Sequence, residues 1–149
     1  ISISYELSAP ANTQVTSRTG SGDQMIGSIN GAVLARTGSG DIHIERAGGG
    51  LDARTGSGDI RASAVGGDID VAQAARADVE ARTGSGDVML SLPADAAFAL
   101  SARTGSGSIE ASQPVQVEGK RRRNRLEGTV RGGGTRVDIT TGSGSIRIR

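Results

Sequence analysis

Few side chains in this sequence are of the types that carry out reactions. Its 149 residues include one histidine, His43, and no cysteine. Thiol catalysis, disulfides and thiolate metal sites are therefore excluded. His43 falls at an outward position of an alternating segment with no evident partner, and reads as a surface residue. Carboxylates are numerous but spread at regular intervals. Glycoside cleavage needs two acids at a set separation, one with a raised pKa, and no irregular loop gathers such a pair. Aromatic platforms for sugar rings are also missing, because Tyr5 and Phe98 are the only aromatics. The six serines of the glycine-rich tetrapeptides have no nearby base for nucleophilic catalysis. Those glycines do not make a phosphate-binding loop, which opens a helix, and no helical periodicity follows them. No catalytic residue and no cofactor is expected.

The charged residues are the more informative set. Arg18, Arg36, Arg54, Arg82 and Arg103 each precede a copy of Thr-Gly-Ser-Gly, and stacked copies would align them on one outer face. Like charges at strand spacing repel. Asp52 and Glu80, two residues before Arg54 and Arg82, are placed to neutralise them. The bland reading is a solvated arginine–carboxylate lattice. The functional one is a surface for anions or acidic polysaccharide, since guanidinium forks suit carboxylates and phosphates. Asp23, Asp41, Asp59 and Asp87 follow the motif. Calcium takes six to eight oxygens, but the spacing lacks the Gly-Gly-x-Gly-x-Asp pattern of calcium-binding rolls. Turn capping is expected instead, and no metal site. Lys120, Arg121, Arg122, Arg123 and Arg125 form a basic run, read first as a solvated hairpin tip and second as a polyanion contact. With no aromatic interleaved for base stacking and a net charge of +1, no specific nucleic acid is expected.

The elements that position these residues are repeats. Thr-Gly-Ser-Gly starts at Thr19, Thr37, Thr55, Thr83, Thr104 and Thr141, at spacings of 18, 18, 28, 21 and 37 residues. That is the signature of stacked supersecondary units. From Asp41 to Gly58 the unit is two five-residue alternating segments joined by glycine-rich corners, the period of half-buried strands. Ile42, Ile44, Leu51 and Ala53 face inward, and the motif threonines share their parity, so their hydroxyls are expected to cap turn backbone. Gln24 stands where the other units have Ile or Val, as befits a terminal coil with a less covered interior. The predicted fold is an all-β single-domain solenoid over residues 1–149, with about six to seven coils and Thr-Gly-Ser-Gly corners. Whether each coil has two sides or three is left open. Gly66–Val71 reads as an extra half-coil, and a basic hairpin is inserted at about 113–130. No apolar run approaches the roughly 20 residues that span a bilayer, so no transmembrane segment is expected.

The phrase Ala-Arg-Thr-Gly-Ser-Gly-Asp-Ile resembles the bacterial adhesin-like domain family of β-solenoids. So do the segment from Leu126 to Ile146 and the opening Tyr-Glu-Leu-Ser-Ala-Pro-Ala-Asn-Thr-Gln-Val. The likeness runs over nearly the whole chain. It implies an extracytoplasmic or cell-surface location and supplies no catalytic motif. A strand-like alternation at Ile1 agrees with an exported protein that has lost an upstream segment.

These readings converge on a non-catalytic structural or surface protein, an adhesin-like scaffold. Ile1-Ser-Ile-Ser-Tyr and Ser145-Ile-Arg-Ile-Arg are β-prone ends, and open strand edges pair unless they are blunted. Homo-oligomers or filaments through the terminal coils are therefore expected, with Arg147 and Arg149 as partial gatekeepers. The alternative is a module that binds carbohydrate or polyanion through a solenoid face or through residues 120–125.

Overall fold

The computed structural model describes residues 10–73, 77–112, 115–117 and 122–149, with the side chains of Gln73 and Val117 excluded. The segment Ile1–Tyr5 lies outside the described residues. Two sheets face each other. The first runs β1 (Val15–Ser21), β3 (Val33–Ser39), β5 (Leu51–Ser57), β7 (Ile69–Gln73), β9 (Val88–Ser91), β15 (Ile146–Ile148), β11 (Ile109–Ala111). The second runs β12 (Gln116–Val117), β13 (Arg125–Val130), β10 (Phe98–Ser106), β14 (Thr135–Ser143), β8 (Val79–Ser85), β6 (Ile60–Gly66), β4 (Ile42–Ala47), β2 (Gln24–Ile29). Coils are thus two-sided. Seven strands at about 4.8 Å spacing make a rod of about 30 Å.

Alternation dictates the interior. In the first sheet Val33, Leu51, Ile69, Val88, Ile146 and Ile109 stack in register. In the second, Ile42, Ile60, Val79, Val137 and Leu100 do the same. All of these are buried. Their β-branched and γ-branched side chains fill the thin gap, and Phe98 is the one described aromatic within it. The second glycine of every motif turns the corner at positive φ, between 128° and 147°, a conformation that only glycine adopts without strain.

The half-coil has a larger effect than its length suggests. β7, built from the Gly-Gly-Asp-Ile-Asp-Val segment, adds one side only, so every later motif copy moves to the opposite sheet. Motif strands β1, β3 and β5 lie in the first sheet, and β8, β10 and β14 in the second. The expectation of arginines on one outer face is therefore corrected. Arg18, Arg36 and Arg54 align in the first sheet, whereas Arg82 and Arg103 lie in the second with Thr140 between them.

Chain order and stacking order also part company. After β9 the chain skips one level and continues as β10 and β11. β12 and β13 then close that end, with β13 antiparallel to β10. Only then does the chain return, as β14 between β8 and β10 and β15 between β9 and β11. The expected open edge at Ser145–Arg149 is thus corrected: β15 is an interior strand. Gln24 sits in the first coil. It is buried, 7% exposed, and its Nε2 donates to the Arg36 carbonyl at 2.6 Å, but the coil around it is less covered, as expected: Val15, Ser17 and Thr19 on β1 and Ile26 and Ile29 on β2 are only half-buried.

Candidate functional site

The fold consumes most of the polar groups that the repeat supplies. Thr37, Thr55, Thr83, Thr104 and Thr141 are buried. The Thr83 hydroxyl donates to Gly67 O at 3.3 Å, with Ser85 O also in reach at 3.1 Å. Thr104 donates to Gly144 O at 2.9 Å and Thr141 to Gly86 O at 3.1 Å. These bonds tie one corner to the corner of the next coil and satisfy carbonyls that a tight turn leaves unpaired.

The aspartates do the same from outside. Along one corner ridge Asp23, Asp41, Asp59 and Asp78 each accept a backbone N–H from the same position one coil along, at 2.7 to 3.0 Å. Asp68 and Asp87 form a second ridge, ending on Ser145 N–H at 2.8 Å. Asp68 and Asp78 are missed in a reading keyed to Thr-Gly-Ser-Gly. The signal that finds them is shorter, an Asp immediately before an inward Ile or Val. Among the described residues no three His, Cys, Asp or Glu side chains gather as metal ligands.

The arginines pair in threes. On the first sheet Asp52 accepts from Arg54 at 2.9 Å and lies 3.4 Å from Arg36. On the second sheet Glu80 lies 2.6 Å from Arg82 and 3.9 Å from Arg61. Glu127 accepts from Arg125 at 2.7 Å and Arg103 at 2.9 Å. The hydrogen bond from Arg125, then that from Arg103, holds the Glu127 carboxyl below the usual carboxylate range. A carboxylate so shifted favours the folded state above its ordinary pKa and loses that effect as pH falls through the depressed one. Carboxyl NMR titration should place the Glu127 midpoint below the ordinary glutamate value, and Arg125→Ala should raise it more than Arg103→Ala. Equal effects from the two would contradict this order of causes.

Lys120 and Arg121 lie outside the described residues. Arg122 and Arg125 exchange backbone hydrogen bonds at 3.1 and 3.3 Å around the turn Arg123–Asn124. Asn124 O accepts from Thr104 N–H at 2.9 Å, so this tip is docked on β10 and Arg125 belongs to the lattice. Arg122 and Arg123 are exposed. Of the expected basic cluster, the structure gives two solvated arginines and one paired arginine.

Two mainly parallel sheets, polar ladders at the corners and arginine–carboxylate lattices on the faces define a β-solenoid domain. The chain belongs to the Toastrack DUF4097 family, whose model matches residues 62–149. The matched part holds the half-coil shift and the intercalated last coil. No curated protein and no solved structure matches the chain.

Proposed function

We propose that the protein is a non-catalytic scaffold, a stiff adhesin-like rod displayed outside the cytoplasm. One observation carries this reading: the reactive-looking groups are spent on the fold. Threonine hydroxyls and aspartate carboxylates hold neighbouring coils together, and among the described residues no acid pair is set apart for proton transfer. The family membership agrees with a scaffold. Self-association is the second feature to test. The described far end carries only the three-residue β11 and the two-residue β12 at its edges, and short edges blunt pairing. Light scattering with negative-stain electron microscopy over a concentration series should therefore show no head-to-tail filaments. Filaments would make the protein a matrix subunit instead. Turnover of any glycan or ester substrate that a single side-chain replacement abolishes would overturn the scaffold reading.

A further inference from the structure

The aspartate ladders run along the two corner ridges, and the arginines stand on the faces. The second sheet holds two of the three Arg–carboxylate–Arg clusters, Arg61–Glu80–Arg82 and Arg103–Glu127–Arg125. Each keeps one positive charge in excess. Asp138, the acid between them, is within 3.8 Å of Arg136 and adds no net negative charge with it. Arg82, Thr140, Arg103 and Arg125 occupy consecutive strands in one outward row, at steps of about 4.8 Å. Thr140 stands where five motif copies carry arginine, between Arg82 and Arg103 in register. The carboxylates hold these guanidiniums in place and use part of the five donors each one has.

We propose that this face binds a carboxylate-bearing polysaccharide laid across the strands, with Arg82, Arg103 and Arg125 as the contacting residues. The proposal rests on the scaffold reading and gives that scaffold a partner. The row offers forks at repeated intervals to a linear polymer of single negative charges, and forked recognition of carboxylate is what arginine does best. Nucleic acid is disfavoured because single-strand binding relies on aromatic stacking, and the described aromatic, Phe98, is buried. The half-coil makes the site, since without β7 the motif arginines Arg82 and Arg103 would lie on the first sheet.

The test uses the full chain and polygalacturonate as probe, with neutral dextran and single-stranded DNA beside it, at low and moderate salt. Arg82→Ser with Arg103→Ser should weaken polygalacturonate binding about tenfold or more, whereas Arg36→Ser with Arg54→Ser on the opposite sheet should change it less than about twofold. Binding should fall with salt, and dextran should not bind. Circular dichroism melts establish that each variant is folded. If the serine pair fails to fold, Arg82→Lys with Arg103→Lys is read instead. It keeps the charge and loses the fork, so a clear loss supports the site and undiminished binding overturns it. Absence of polygalacturonate binding, equal loss from the two sheets, or tighter binding of DNA would each overturn the proposal. Release of reducing ends from the polymer would sink the scaffold reading and leave the binding face standing.

Discussion

Gly144→Ala should destabilise the protein by about 3 kcal/mol or more, far above the usual cost of a surface change. Gly144 has φ of 136°, where a β-carbon is strained by itself, at a cost of about 1–3 kcal/mol. Its neighbour adds to this. A methyl at Gly144 would meet the carbonyl of Gly86 in the adjacent coil, and one at Gly107 would meet the carbonyl of Gly144. The second motif glycines are therefore stacked with a carbonyl in the space a side chain needs. Relief requires one coil to move off another, which breaks the Thr141 bond to Gly86. Gly20→Ala is the control. Its β-carbon would meet nothing within 4 Å, and its φ is not positive, so a change within about 0.5 kcal/mol is expected. Denaturant unfolding measures both. Equal midpoints for the two variants would mean that the corners yield and the coils are not rigidly stacked.

Ile146→Ala should cost about 2–5 kcal/mol. Ile146 is fully buried and stacks between Val88 and Ile109. Loss of its side chain leaves a cavity bounded by strands on both sides, with little room to collapse. Ile26, half-buried on β2, should lose clearly less on the same replacement. The same unfolding measurement separates the two positions. A cost near zero at Ile146 would show that β15 is not held between its neighbours.

Much of this structure can be read from residue order alone, down to the parity of single side chains. Alternation puts Ile42 and Ile44 inside and places the motif threonines with them, and the threonine hydroxyls cap the corners as their parity requires. Asp52 and Glu80 neutralise the arginines two residues on, as spacing indicates. What escapes the sequence is the address of each coil. Val137, Ile139 and Thr141 present the same inward pattern as Val79, Ala81 and Thr83, so β14 is chemically suited to several levels. Near-identical repeats specify a kind of slot and not a particular one. The sheet change after β7 is hidden for a related reason. Gly-Gly-Asp-Ile replaces the longer motif at one corner, and counting Thr-Gly-Ser-Gly copies passes over it. Glu127 escapes because β13 runs antiparallel to β10, which brings it beside Arg103 across 24 residues of sequence.

The skipped level also governs the order in which the rod can be completed. Repeat arrays ordinarily grow by nearest-neighbour addition, each unit docking on the one made before it. Here Arg136 and Ser145 bond to Asp78 and Asp87, each 58 residues earlier. The strands at Phe98–Ser106 and Ile109–Ala111 must also accept the same late segment on their inner side. No folding route that advances strictly from first coil to last finishes this molecule. Emerging from the ribosome, the chain has its middle levels incomplete until the final strands arrive, and closure of that long loop becomes a step of its own. The last segment acts as a latch for the matched part of the chain, so the rod becomes one cooperative body there rather than a row of independent turns.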